Sequence, residues 1–195
     1  MRLTLILGML FLLASCKRSG IKELNTISEN GYINAVIEIP AGSNKKMIYL
    51  EDRNTFVQEK KNGVNRVIDY LPYPVNYGFI PKTEMKLESG GDGDALDILV
   101  LCQSLATANF LEVKPIAVLK LKDEGSFDHK ILAIPAATKH QTIRAHALEH
   151  LISDYPSILD QLEVWFLNYK GDNAMEVIGW GDEKEALEMI KENQI

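Results

Sequence analysis

The stretch "VKPIAVLKLKDEGSFDHKILAIPA", Val113 to Ala136, decides the fold, because it joins two apolar runs through a short acidic turn. Apolar runs separated by a turn that contains glycine predict two neighbouring strands. The turn extends from Asp123 to Asp128 and places two carboxylates beside strands that belong to the core. Turns at one rim of a small barrel can face each other, so this turn marks a candidate site.

Short strands of this kind fill most of the chain before it. "YINAVIEIP" is rich in β-branched residues, and a meander with a hairpin turn at Asn62-Gly63 follows it. Two amphipathic segments come late: "SILDQLEVWFLNYKG", with Ser157 as cap and Gly171 as stop, and "DEKEALEMIKENQ". We expect an α+β fold, namely a small closed five-stranded (OB-like) β-barrel with additional strands and two main C-terminal helices.

The first residues, "MRLTLILGMLFLLAS", have one arginine and an apolar run that is shorter than the roughly 20 residues of a membrane span. This pattern is typical of a secretory signal, and "LASC" resembles a lipobox whose Cys16 is lipidated. We expect a signal peptide at 1–15, a polar tether at 16–31 and one domain at 32–195. The mature protein is then a membrane-anchored lipoprotein that faces the periplasm.

Composition limits the partners. The full chain has 21 basic and 27 acidic residues, and loss of Arg2 with the signal takes the net charge from −6 to −7. This balance argues against nucleic acid as a partner. Cys102 is then the only free thiol of the mature chain, so no intramolecular disulfide stabilises the domain.

A second acidic stretch, "GGDGDALDILVL" from Gly90 to Leu101, runs directly into an apolar strand. It does not fit a calcium-binding EF-hand, because Asp97 stands where that loop requires glycine and Gln103 where it requires glutamate. Alone it is equally well a solvated acidic turn. Together with the Asp123–Asp128 turn it predicts an oxygen-lined site for Mg²⁺ or Mn²⁺. The carboxylates that carry this prediction are Asp92, Asp94, Asp97, Asp123 and Asp128.

Basic and phenolic side chains supply the third part of the pattern. Metal ions flanked by such donors suit a phosphoryl group, whose charge is spread over several oxygens. Each residue alone is equally well a surface residue, but as a set they indicate a phosphate compound. The set is Lys46, Arg66, Tyr73, Tyr77, Lys130, Tyr169 and Lys170.

From about Ile33 to its end, the chain resembles the family I soluble inorganic pyrophosphatases. The resemblance rests on "VIEIPAG", "YPVNYGFIP", "DGDALD", "LKLKDEGSFDHKILAIP", "NYKG" and "VIGW", in the family's order. It implies that several Mg²⁺ ions, with Mn²⁺ as a substitute, help water to split pyrophosphate into two phosphates. Bacterial relatives are commonly hexamers, which implies a homo-oligomer by analogy only.

The resemblance also implies roles. Asp94 helps to deprotonate the attacking water, and Tyr73 and Tyr77 line the cavity. The metal ligands are Asp92, Asp97, Asp123 and Asp128, with Glu38 holding metal-bound water, while the two phosphates are held by Lys46, Arg66, Lys130, Tyr169 and Lys170.

This chain departs from the family pattern around "NKKMIYLED". Aligning Lys46 with the family's lysine puts Ile48 where glutamate is usual, while Lys45 is the competing assignment and Glu51 a candidate replacement for the missing acid. Ala95 also stands where the family has proline or glutamate. A weakened relative that only binds phosphate or metal is therefore the rival hypothesis, and a purely structural lipoprotein is a third.

Overall fold

The computed structural model describes residues 20–171 and 174–195. The predicted signal peptide and Cys16 lie outside these residues, as does the start of the predicted tether. No helix within the described residues is long and apolar enough to cross a membrane.

Eleven strands and three α-helices are present in the described part of the chain. Their bounds, in chain order, are β1 Ile33–Ile39, β2 Met47–Leu50, β3 Thr55–Gln58, β4 Lys60–Lys61, β5 Val64–Asn65, β6 Asn76–Phe79, β7 Asp97–Val100, β8 Phe110–Asp123, β9 Ser126–Phe127, β10 Lys130–Pro135, α1 Leu148–Asp154, α2 Pro156–Asn168, β11 Met175–Gly181 and α3 Glu183–Glu192. The fold is therefore α+β, as the sequence predicts.

Seven strands form one mixed sheet in the order β1-β6-β7-β10-β8-β11, with β9 beside β8 and a further pairing between β1 and β8. All six residues of β10 are buried, which matches its continuous apolar sequence. Its successive side chains alternate between two core clusters: Ile131 packs with the cluster that includes α3, and Leu132 with the cluster that includes α2.

The parallel pairing of β10 with β7 positions the candidate site. Its register places Lys130 beside Asp97, so the first residues of the two strands are neighbours. β8 and β10 are antiparallel and joined through β9, which brings the Asp123–Asp128 turn to the same end of the sheet. Both predicted acidic turns therefore meet at one rim.

The hairpin signal at Asn62-Gly63 is confirmed. These residues connect β4 to β5 with φ angles of 55° and 79°. Left-handed backbone at both central residues is what a tight two-residue hairpin requires, and asparagine and glycine tolerate it best.

The helices differ in detail from the prediction. α2 begins at Pro156, so Ser157 lies inside the helix and is not its cap. Proline suits the first helical position, because it has no N–H that would need a partner there. α1 was not predicted, and its seven residues bury only Leu151, too few to produce a clear periodic pattern. α3 begins as expected, with Asp182 accepting hydrogen bonds from the N–H groups of Lys184 and Glu185.

Part of the predicted tether packs on the domain. The hydroxyl of Thr26, which is fully buried, donates to the carbonyl oxygens of Pro81 (2.9 Å) and Lys82 (3.1 Å). The N–H of Asn34 in β1 donates to the Thr26 carbonyl at 2.9 Å. The chain is therefore fixed to the domain several residues before residue 32.

Candidate active site

A cavity of about 680 Å³ opens at the rim where the acidic turns meet. It brings together all of the predicted substrate and metal residues except Tyr73. Those that line it are Glu38, Lys46, Arg66, Tyr77, Asp92, Asp94, Asp97, Asp123, Asp128, Lys130, Tyr169 and Lys170. Their individual roles remain predictions, but their convergence from seven separate stretches of sequence is a property of the fold.

The centre of the site is a buried ammonium. Lys130 is 1% exposed, and its Nζ forms ion pairs with Asp97 and Asp128. Burial alone would disfavour the charged form, but the two carboxylates outweigh it and raise the pKa of Lys130. The hydroxyl of Tyr77 donates to Asp97 Oδ2 at 2.5 Å, which satisfies the same carboxylate from a second side.

Aromatic rings support this charge. Lys130 Nζ lies 5.6 Å from the ring centre of Tyr77 and 5.8 Å from that of Phe166 in α2. Tyr169, just past the end of α2, stacks on Trp165 with 4.6 Å between ring centres. Burial raises the pKa of Tyr169, so its hydroxyl keeps its proton and stays a donor.

Tyr73 is not among the residues that line the cavity. It is 3% exposed, and its ring lies 5.3 Å from Tyr77 and 4.5 Å from Trp165. It therefore packs between the cavity wall and α2. The helical spacing of the aromatic residues predicted a core face of α2, but it gave no sign that this face supports the site.

The aspartate loop is fixed through its backbone. The N–H of Asp94 donates to Asp92 Oδ1 at 2.9 Å, and the Asp94 carbonyl accepts from the N–H of Met85 at 2.7 Å. At Gly91 a Cβ atom would approach the Met85 carbonyl oxygen to 2.4 Å, so only glycine fits there. Partial burial in the cavity and the charge of Asp92 raise the pKa of Asp94, which makes its carboxylate a better proton acceptor.

Glu38, on β1, also lines the cavity. Its Oε1 accepts from the N–H of Tyr49 at 2.6 Å, and burial raises its pKa to about 7. Ile48 also lines the cavity, and β2 pairs it with Val57 of β3. An apolar side chain therefore occupies the wall near Glu38, as the alignment of Lys46 implies.

Only one of the two candidate lysines lines the cavity. Lys46 lines the cavity with its Nζ 4.9 Å from the ring centre of Tyr77, whereas Lys45 is exposed and does not line it. Sequence reasoning missed Glu59, whose Oε2 lies 2.8 Å from an N–H of Arg66 and holds that guanidinium at the cavity wall. Glu59 and Arg66 face each other across the hairpin at Asn62-Gly63, where the N–H of Arg66 donates to the Glu59 carbonyl at 2.7 Å, so the hairpin signal could have found this pair.

The carboxylates fit additional cations. Lys170 forms an ion pair with Asp123 Oδ2, while Asp123 Oδ1 is buried and has no hydrogen-bond partner in the described chain. Such an oxygen is costly unless a cation or water binds it. Across 20–171 and 174–195, no three acidic, histidine or cysteine side chains are grouped closely enough to hold one ion as they stand. Lys130 lies between Asp97 and Asp128, so the ammonium already compensates the pair closest to the core.

Comparison with known proteins gives one answer. The family model described as inorganic pyrophosphatase matches residues 35–194. The inorganic pyrophosphatases of Neisseria meningitidis serogroup B and Haemophilus influenzae are each 39% identical, covering 85% and 84% of this chain and 88% of their own. A crystal structure of the Neisseria gonorrhoeae enzyme superposes with a TM-score of 0.72 at 33% identity, over 89% of this chain and 96% of that one. The chain thus belongs to the inorganic pyrophosphatase family and is a hydrolase that splits pyrophosphate.

Proposed function

We propose that pyrophosphate binds in this cavity and that the surrounding carboxylates hold several Mg²⁺ ions, with Mn²⁺ as a substitute. The observation that carries this proposal is the buried Asp123 Oδ1, which has no hydrogen-bond partner among residues 20–171 and 174–195. It lies beside a set of carboxylates richer in negative charge than its lysines compensate. Hard oxygen ligands without cysteine favour Mg²⁺ over zinc. Asp92, Asp97, Asp123 and Asp128 would be ligands, and Glu38 would hold a water beside them.

The other side chains divide the reaction between them. Lys46, Arg66, Lys130 and Lys170 offer positive charge to the two phosphates, and Tyr77 and Tyr169 offer hydroxyl groups. Asp94 accepts a proton from the water that attacks one phosphorus, while the bond to the bridging oxygen breaks and the second phosphate leaves. Bound Mg²⁺ would lower the pKa of that water and neutralise the phosphate charge.

The roles within the aspartate loop can be separated by substitution. Asp94→Asn should lower turnover by about 10²–10⁴-fold, because an amide cannot accept the proton, and excess Mg²⁺ should not restore it. Asp92→Asn and Asp97→Asn should weaken Mg²⁺ binding, and excess Mg²⁺ should restore part of the rate. Calorimetric Mg²⁺ titration and phosphate release from pyrophosphate measure the two properties.

Asp160→Asn is the matched control, because Asp160 is exposed on α2 and does not line the cavity. It should leave both measurements unchanged. Equal rescue of all three loop variants by Mg²⁺ would show that Asp94 is only another ligand. Phosphate release from pyrophosphate is also measured with and without EDTA. Activity that EDTA abolishes would exclude the rival hypothesis of a weakened relative that only binds phosphate or metal.

Ile48 should make the enzyme's activity less responsive to Mg²⁺ than a glutamate at this position would. A carboxylate there would give metal-bound water another acceptor, and loss of such an acceptor typically costs about 10–100-fold in metal affinity or activity. We expect Ile48→Glu to reach half-maximal activity at a lower Mg²⁺ concentration than the unmodified enzyme. Val57→Glu, on the paired strand but outside the cavity lining, is the control. An identical activation curve for both variants contradicts the role of position 48.

We further propose that the chain is a lipoprotein, with a signal at 1–15, lipidated Cys16 and a tether that begins there. Support comes from the short apolar run and "LASC" alone. Cys16→Ala should release the protein from the membrane fraction or leave it unprocessed, whereas Cys102→Ala should do neither. Membrane fractionation and the mass of the mature N-terminus measure this, and unchanged processing together with unchanged retention would refute it.

Two finer structural proposals remain. The strand pairings return from β8 to β1, which supports a closed five-stranded, OB-like barrel. The exposed apolar side chains Ile152, Val164 and Leu167 support a homo-oligomer.

A further inference from the structure

The chain that follows the predicted lipidation site lines the active-site cavity at Ile21, Lys22 and Leu24, and we call this edge of the cavity, where Lys22 is exposed, its mouth. We call residues 20–28 the strap. At one end, a Cβ atom on Gly20 would lie 3.8 Å from Asn54 Nδ2, in the turn between β2 and β3. A 3₁₀ turn over Ile21–Glu23 follows, and both Ile21 and Leu24 line the cavity. The strap therefore forms part of the cavity wall.

The other end of the strap is attached to the loop after β6. The buried Thr26 hydroxyl bonds to the carbonyl oxygens of Pro81 and Lys82, and Lys82 Nζ donates to Asn25 Oδ1 at 2.6 Å. Pro81 and Lys82 line the same cavity. The strap thus lines the cavity at Ile21 and Leu24 and is attached to the domain by the hydrogen bonds of Asn25 and Thr26.

This arrangement limits the distance between the anchor and the site. Only four chain steps separate Cys16 from Gly20, which extend at most about 14 Å. A lipidated Cys16 would hold its acyl chains in the bilayer, so the bilayer surface would lie within that distance of Gly20. A flexible tether of sixteen residues, 16–31, would not have oriented the domain on the membrane. Because Thr26 is bonded to the domain, the flexible part of the tether is shorter than that.

Charge near the anchor favours the same contact. The sequence "KRSGIKEL", Lys17 to Leu24, has three basic residues and one acidic residue in a chain that is acidic overall. Of the exposed charged residues that line the cavity, Lys22 belongs to the strap and Lys82 to its attachment point, whereas Glu51, Asp92 and Asp94 lie outside the strap. Basic side chains next to a lipid anchor are attracted to anionic headgroups.

We propose that the mouth of the catalytic cavity faces an anionic phospholipid surface, with the strap as the element that sets this orientation. The inference rests on the proposed lipidation of Cys16. The enzyme would then take up pyrophosphate released at the membrane and return phosphate there.

Förster transfer from the protein to the membrane tests the orientation. The full-length lipoprotein, in a Cys102→Ser background, is reconstituted into phosphatidylglycerol and phosphatidylethanolamine vesicles that carry a headgroup acceptor dye. A donor is placed at Arg53→Cys, beside Asn54 at the mouth, or at Lys139→Cys. Lys139 is exposed beyond the far end of β10, whose six residues extend about 20 Å from Lys130.

We expect transfer from position 53 to be at least twofold higher than from position 139. A twenty-residue Gly-Ser spacer between Ser19 and Gly20 should remove this difference while the protein stays on the vesicles. Equal transfer from both positions with the native tether, or higher transfer from position 139, overturns the proposal. A protein that does not bind vesicles overturns both the anchor and the orientation. Phosphate release measured in the same samples reports separately on the enzyme.

Discussion

The buried Lys130 ammonium, held between Asp97 and Asp128, is the interaction on which the rest of the site depends. Burying a charge costs several kcal/mol unless counter-ions and hydrogen bonds compensate it. Compensation here requires β7 and β10 to pair in one register, because a shift by one residue would turn Lys130 to the other face of the sheet. The sheet register and the geometry of the active site are therefore set by the same contact.

The remaining carboxylates extend this arrangement outward. Asp92 and Asp94 lie on the loop before β7 and Glu38 lies on β1, and all three line the cavity. Burial raises the pKa of Glu38 to about 7, which shows how incompletely its charge is compensated within the protein. The cavity thus has more carboxylate oxygens than the Lys130 ammonium can compensate. Such an arrangement suits a reaction in which metal cations bind together with an anionic substrate. The apolar side chain of Ile48 adds no acceptor to the cavity wall.

Much of this arrangement was predictable from the sequence. Short sequence motifs predict the two acidic turns, Lys130 and the hairpin at Asn62-Gly63. Two features were not predictable locally: the position of Tyr73 behind the cavity wall and the packing of Thr26 on the domain. Each depends on segments that meet only after folding. The helix start at Pro156 was misjudged because Ser157 is also a good capping residue.

The most direct test measures the free energy of unfolding of Lys130→Met by chemical denaturation without Mg²⁺. Because the carboxylates of Asp97 and Asp128, whose side chains are 19% and 14% exposed, lose their counter-ion, we predict a loss of about 3–5 kcal/mol, part of which added Mg²⁺ should restore. Lys120→Met is the control, since Lys120 pairs with Glu185 at a more exposed site (2.9 Å) and should cost no more than about 1 kcal/mol. A loss for Lys130→Met no greater than that of the control would contradict the central place of the buried ammonium.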